Sequence, residues 1–221
     1  MSIQLYSTKD NSHTLYNSVL DETYHSRNGA ITESLYVFLK QGYELAVTQK
    51  KQIRVLEIGF GTGLNAILTL QAAEKSQTNC SYYTLDIFPL PLTVINTLNY
   101  TQLLEPALQK HFINIHTCSW NTWHTITTNF SLYKADQSVH QFQTNHTFDV
   151  VYFDAFGPDK QPDMWTKHVF EMLYNKLKSQ GIFVTYSAKG EVRRMLKEIG
   201  FDVELLPGPP MKRHMIRAIK L

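Results

Sequence analysis

The residues best placed to do chemistry lie in two short runs. The first is Glu57-Ile-Gly-Phe-Gly-Thr-Gly-Leu-Asn65, three alternate glycines behind an acid. Glycines at 59, 61 and 63 let a tight turn press bare backbone against a ligand. The apolar Val55, Leu56 and Ile58 before them read as a short buried strand, and residues 64–73 after them are good helix formers. Strand, glycine turn, helix is how a doubly wound α/β protein opens a nucleotide site. The second run is Asp154-Ala-Phe-Gly-Pro-Asp-Lys-Gln-Pro-Asp-Met-Trp165, directly after an apolar strand over 148–153. Two prolines, a glycine and a tryptophan predict a rigid loop, and chemistry concentrates on loops at strand ends.

The G-x-G-x-G spacing is shorter than the G-x-G-x-x-G of dinucleotide sites. It suits a nucleoside with an amino-acid tail, whose ammonium Glu57 would help to hold through the turn. S-adenosylmethionine (SAM) fits that description, with a nicotinamide dinucleotide as the rival. Glu57, Gly59, Phe60, Gly61, Thr62, Gly63 and Asn65 are therefore candidate cofactor contacts. Asp86 ends a second strand predicted over 82–87, 23 residues beyond Gly63, where an acid accepts hydrogen bonds from ribose hydroxyls. A third strand predicted over 112–117 puts Ser119 and Trp120 at its carboxyl end, flanking an adenine.

These elements need a frame, and the bulk properties supply one. The 221 residues, 43% hydrophobic and 18% charged, suit one domain with an elaboration. No apolar run approaches the ~18 residues of a membrane span, and the start lacks a secretion-signal layout. Two isolated cysteines, Cys80 and Cys118, point to neither a disulfide framework nor a zinc site, so a cytoplasmic setting without metal is expected. The net charge of +2 hides an asymmetry: from Lys189 onward it is +4. Such an end suits nucleic acid or a merely solvated helix face.

Along the chain, residues 3–6 and 13–16 predict a hairpin, and Thr32 a helix cap before Leu35, Phe38, Leu39 and Leu45. Residues 1–50 form an N-terminal elaboration and 51–221 the main domain. A helix over 92–98 follows Pro89 and Pro91. The polar stretch 129–147 is an excursion without assigned function. Helices over 164–177 and 191–199 alternate with strands over 181–187 and 201–206, and 214–220 returns as a last strand. The expectation is a Rossmann-like α/β fold with a seven-stranded, mostly parallel sheet closed by an antiparallel hairpin, the version found in class I SAM-dependent methyltransferases.

Four segments spanning nearly the whole chain resemble the methyltransferase of the tRNA 5-methylaminomethyl-2-thiouridine (MnmC/MnmD) family. They are Tyr24-His-Ser-Arg-Asn-Gly29 with Glu33 and Tyr36-Val-Phe-Leu39; the glycine turn; Phe153 through Pro-Asp-Met-Trp165; and Ser187 through Arg193-Arg194 to Lys212-Arg213-His214-Met215. The glycine turn is common to many methyltransferases, whereas the Asp-Ala-Phe loop is far more specific. The resemblance implies methyl transfer from SAM, leaving S-adenosylhomocysteine, to the aminomethyl nitrogen of a wobble uridine in tRNA. In the family's fused form a flavin-dependent oxidase domain prepares that amine. This chain resembles the stand-alone form, so separate upstream enzymes are expected to supply it. One departure is visible: Cys118-Ser119 stands where the family often has Gly-Asp after the third strand.

An amine nucleophile must lose a proton, and Asp154, at a strand end beside the donor, is the candidate catalytic base. Phe156 and Trp165 are candidates to shape the pocket or stack on the uracil, with Tyr24, Asn28 and Glu33 closing the amine side. Lys189, Arg193, Arg194, Lys212 and Arg213 are candidate phosphate contacts. Three rivals stand beside this reading. A nicotinamide oxidoreductase is disfavoured by the glycine spacing and the absence of a His/Lys hydride-transfer pair. An aminopropyltransferase, or another small-molecule methyltransferase, shares the fold, but a polyamine pocket would need acids. A non-catalytic RNA-binding module would leave the glycine turn and the Asp154 loop unused.

Overall fold

A computed structural model describes residues 3–48 and 50–221; Met1, Ser2 and Gln49, inside the expected elaboration, lie outside the described residues. The chain opens with β1 (Ile3–Ser7), β2 (His13–Asn17) and β3 (Glu22–Thr23), a small antiparallel sheet in that order. The expected hairpin is thus present. Its turn also starts the next element, α1 (Ala30–Ser34). Thr32 does not cap this helix. Gly29 holds the cap position, and the free amides of the first turn are met from the hairpin. Ser12 Oγ accepts from Ala30 N at 3.1 Å, and Asp10 Oδ2 accepts from Thr32 N at 2.9 Å.

The helix continues through a π-helical stretch, Leu35–Tyr43, into α2 (Glu44–Val47). The wider i→i+5 winding rotates the buried face away from the one that regular spacing predicts. Leu35 and Leu45 are exposed, whereas Val37, Gly42 and Tyr43 join Phe38 and Leu39 in the core. At Gly42 a Cβ would come within 3.0 Å of the Tyr152 ring, so the helix lies close on the sheet.

The main sheet is built from β4 (Gln52–Ile58), then α3 (Leu64–Ser76) and β5 (Asn79–Leu85). Short helices α4 (Leu92–Ile95) and α5 (Tyr100–Leu103) lead to α6 (Gln109–Thr117). Then come β6 (Trp123–Thr127), β7 (Phe130–Ala135), β8 (Phe148–Phe153), α7 (Lys167–Lys176) and β9 (Leu177–Thr185). The chain closes with α8 (Gly190–Ile199), β10 (Phe201–Pro207) and β11 (His214–Lys220). Strand order is β10-β11-β9-β8-β4-β5-β7-β6, with β7, β5, β4, β8 and β9 mutually parallel, β6 and β11 running against them, and β10 paired antiparallel to β11 at one edge. The sheet is covered on both faces: one core cluster takes in the π-helical stretch, α3 and α6, the other α7 and α8. This is the expected doubly wound architecture, with eight strands rather than seven.

The difference lies in one region. Residues 112–117, expected as the third strand, are the end of helix α6, whose Phe112 and Ile115 are buried one turn apart. The third parallel strand is β7, inside the stretch set aside as a polar excursion, and β6 beside it is the additional strand. The inward row of β7 is Phe130, Leu132 and Lys134, all at 1% exposure or less. A lysine in a core position conceals the alternation. Its ammonium is satisfied by the His116 carbonyl at 2.9 Å, at the carboxyl end of α6, and lies 4.8 Å over the Trp120 ring.

Candidate active site

The glycine turn connects β4 to α3 with φ of +97° at Gly59, +48° at Gly61 and +70° at Gly63, conformations that favour glycine. Space forbids side chains as well. A Cβ at Gly59 would come within 2.9 Å of the Asp154 carbonyl, and one at Gly63 within 2.6 Å of His116 Nε2. The first contact shows that the two chemistry-bearing runs meet, since β4 and β8 are parallel neighbours ending side by side. Beyond them opens a cavity of about 720 Å³, large enough for a nucleoside cofactor and part of a second molecule. Gly59, Phe60, Gly61, Thr62, Asn65, Asp86, Asp154, Phe156, Tyr24 and Glu33 all line it. Gly63 does not; it turns the chain into α3.

Asp86 follows β5 as expected. Its Oδ2 accepts from Gly61 N at 2.9 Å and its Oδ1 from Phe88 N at 2.8 Å, which fixes the carboxylate while each oxygen keeps a lone pair for a ribose hydroxyl. Burial pushes its pKa upward against these bonds. Asn65 offers a second test of fit. Its Nδ2 donates to Asp154 Oδ2 at 2.8 Å, whereas its buried Oδ1 has no partner. An unpaired acceptor beside a glycine cradle matches the ammonium of an amino-acid tail. The residues present therefore fit SAM: the bare turn and Asn65 for its tail, Asp86 for its ribose, and Phe60, Ile87, Phe88 and Val139 for its apolar surfaces.

Glu57 takes another place than the expected one. It is fully buried under the turn, not on the cavity wall, and accepts from the Thr84 hydroxyl at 2.7 Å. Burial there pushes its pKa up to about 8. Ser119 and Trp120 also lie off the cavity, because they follow a helix and not a strand. Ser119 bonds the His124 ring at 3.0 Å, and Trp120 sits edge-on to Phe60. The real third strand ends at Ala135-Asp136, which takes the place assigned to Cys118-Ser119. Gln137, Ser138 and Val139 after it line the cavity, as do Ile87 and Phe88. Sequence reasoning missed these, and correct placement of β7 would have found the first group.

At the other end of the cavity, Asp154 has its pKa raised well above the usual carboxylate range. Burial is the main cause, reinforced by the nearby charges of Glu33 and Glu57 and opposed by Asn65 and Lys212. Tyr24 and Phe156 meet edge to face with centroids 4.9 Å apart. Glu33 accepts from Ser26 N at 3.0 Å and pairs with Lys212. Tyr186, unforeseen from sequence, donates from its hydroxyl to the Ala155 carbonyl at 2.8 Å and also lines the cavity. Trp165 does not face the cavity: it is buried, and its indole N–H holds the loop by donating to the Phe156 carbonyl at 2.7 Å. Asn28 is likewise off the wall, its amide donating to Ser26 Oγ at 3.1 Å.

The basic candidates divide. Lys212 points into the cavity, and Lys189 pairs with Asp159. Arg193, Arg194 and Arg213 are exposed and enter none of the ion pairs found among the described residues. Among those residues no His/Cys/Asp/Glu group could hold a metal ion, and no helix is long and apolar enough to cross a membrane.

A doubly wound sheet with an antiparallel closing hairpin, a glycine turn and an acid after the second strand defines a Rossmann-like class I SAM-dependent methyltransferase. Residues 99–221 match the model of a family described as S-adenosyl-L-methionine-dependent methyltransferase. The chain belongs to this family, and it is similar to MnmC proteins. It is 27% identical over 219 residues to the tRNA 5-methylaminomethyl-2-thiouridine biosynthesis bifunctional protein MnmC of Paraburkholderia phymatum, an alignment covering 92% of this chain and 33% of that protein. The chain thus spans about a third of the length of such relatives. Among solved structures, MNMC2 from Aquifex aeolicus superposes with a TM-score of 0.75 at 26% identity, covering 98% of this chain and 70% of that one. Spermidine synthase from Thermotoga maritima shares the fold, with a TM-score of 0.58 at 15% identity over 99% of this chain and 69% of that one. SAM dependence removes the nicotinamide rival.

Proposed function

We propose that this methyltransferase transfers the methyl group of SAM to the primary amine of 5-aminomethyl(-2-thio)uridine at the wobble position of tRNA. The observation that carries the reading is Asp154, fixed by Asn65 where the glycine turn meets the far end of a single cavity. The names of the MnmC relatives point the same way.

Bound SAM supplies an electrophilic methyl group on a sulfonium. The protein's task is the nucleophile. An alkylamine has a pKa near ~10.4 and arrives protonated. Asp154, raised in pKa by burial and neighbouring acids, is a stronger proton acceptor than an ordinary carboxylate. An arriving ammonium offsets the cost of holding a buried carboxylate at Asp154, so the pair forms readily. Asn65 holds Asp154 in place while the proton passes from the amine nitrogen to the carboxylate, freeing the lone pair. Tyr24 and Phe156 present an aromatic corner for the uracil ring. Arg193, Arg194 and Arg213 supply phosphate contacts. In this reading residues 1–50 form an N-terminal elaboration whose Tyr24 and Glu33 wall the amine side of a methyltransferase domain over 51–221.

The test incubates the protein with labelled SAM and total tRNA from cells unable to make the final methylation. Nucleosides are then separated by mass spectrometry. Conversion of the aminomethyl to the methylaminomethyl nucleoside is the expected result. SAM binding with no label in tRNA would remove the substrate and keep the methyltransferase.

A further inference from the structure

The cavity contains charged groups that proton transfer from a single amine does not require. Their arrangement bears on which amines can enter, an inference that rests on the amine-pocket reading above. Of the four carboxylates that line the cavity, Asp86 is held by the glycine turn and Glu22 lies on the short strand β3, whereas Asp154 and Glu33 are the two anchored on the amine side. Asn65 fixes the first at 2.8 Å, and the Ser26 amide fixes the second at 3.0 Å. Two anchored acids in one cavity suit a dication, with an ammonium on each. Here the second acid is already taken. Lys212 pairs with Glu33 Oε2, and its Nζ lies 4.7 Å over the Tyr186 ring. Tyr186 is itself tied by its hydroxyl to Ala155, the neighbour of Asp154.

Lys212 is delivered by a tight turn between β10 and β11. Gly208 N donates to the Arg213 carbonyl at 3.0 Å and Lys212 N to the Pro209 carbonyl at 2.9 Å. A Cβ at Gly208 would come within 2.6 Å of the Lys212 carbonyl. Backbone and side chain together hold this ammonium in the pocket.

We propose that Lys212 is the specificity-determining residue of the amine pocket: by neutralising Glu33 it leaves Asp154 as the anchored carboxylate that meets an alkylammonium, so a second ammonium on a diamine gains nothing. The charge count is simple. Glu22, Asp86 and Arg27 are the same with or without the lysine, so removing Lys212 frees one anchored acid, Glu33, beside Asp154.

The test is calorimetric binding of putrescine and of butylamine to the full chain loaded with S-adenosylhomocysteine. Native protein is compared with Lys212→Met and with Lys212→Met/Glu33→Gln. Methionine keeps an unbranched apolar stem against Tyr186 while removing the charge. The native protein is expected to bind the two amines with similar affinity. Lys212→Met should favour putrescine by about tenfold or more, and the double variant, with one acid again, should lose that preference. A Lys212→Met protein that still binds S-adenosylhomocysteine but shows no diamine preference overturns the proposal. So does one whose only change is weaker and less salt-dependent tRNA binding, which would make Lys212 a phosphate contact. If Lys212→Met does not fold, Lys212→Gln, uncharged yet able to hydrogen-bond Glu33, carries the same comparison. The tRNA assay on native protein separates the two readings. Diamine preference in the variant without tRNA methylation by the native chain supports this inference and removes the tRNA substrate, whereas tRNA methylation without the preference overturns this inference alone.

Discussion

At the residue scale the site depends on where carboxyl groups are buried. Asp154→Asn preserves size and a hydrogen bond to Asn65 but cannot accept the proton. The expected loss in kcat is about 10²–10⁴-fold, with SAM affinity by calorimetry close to native. Near-native turnover would take Asp154 out of the mechanism. Glu57 behaves differently, because its carboxyl is pushed to about 8 in the folded chain. Below the unfolded value of about 4.5 both states hold the proton and folding has no penalty. Between that value and about 8 the unfolded chain releases its proton and folding loses stability steadily as pH rises. Glu57→Gln is therefore expected to raise the melting temperature at pH 8 more than at pH 5, and an equal change at both would contradict a protonated Glu57. Both acids were legible as important residues in the sequence, but only Asp154 was legible in its place. A glutamate one residue before a glycine turn reads as a ligand contact, and the pleat that points it under the turn is set by neighbours in the sheet.

At the element scale the N-terminal hairpin is a cap for a helix as much as a sheet. Asp10 accepts from Thr32 N and from the hydroxyls of Thr8, Ser12 and Thr32. These bonds outweigh its burial and hold its pKa at about 2. A depressed carboxylate contributes stability above its unfolded pKa near ~3.9 and loses it as pH falls through about 2. Asp10→Ala should cost on the order of 1 kcal/mol near neutral pH, as a lost cap does, and the cost should fade in melts taken in acid. The same scale shows where sequence reading fails. Strands β4, β5 and β8 are apolar on both faces and were plain. Strand β7 was not, because Lys134 interrupts its inward row; burial lowers the pKa of its ammonium, which His116 and Trp120 receive. Helix α6 failed for the opposite reason. Phe112, Ile113 and Ile115 fit a strand over so short a run, and only the Pro106–Leu108 turn before them starts a helix. That one exchange is why residues 137–139, and not Ser119 and Trp120, line the cavity after the third strand.

At the scale of the whole molecule, charge is segregated. Arg193 and Arg194 lie on the exposed side of α8, and Arg213 in the turn before β11. If these meet phosphates, the apparent tRNA affinity should fall steeply with salt, and Arg193→Ala/Arg194→Ala should lower the slope of log K against log salt by about 2. A salt-insensitive KM for tRNA would leave the arginines as an ordinary solvated face. The overall architecture, its two-sided cover and its closing hairpin could be read from the alternation of strands and helices. The joint between the chain's distant parts could not, because Glu33 and Lys212 carry no shared pattern.

That joint has a consequence for how the protein comes into being. The contact between Glu33 and Lys212 links positions 179 residues apart. On the ribosome the glycine turn and its first strands are made long before the hairpin that completes the pocket wall. A nascent chain can therefore hold the glycine turn and Glu33 while Lys212, the partner of Glu33, is still missing. Contacts of such long sequence separation form late and slowly. The Lys212 wall is thus the last part of the pocket to be completed as this chain matures.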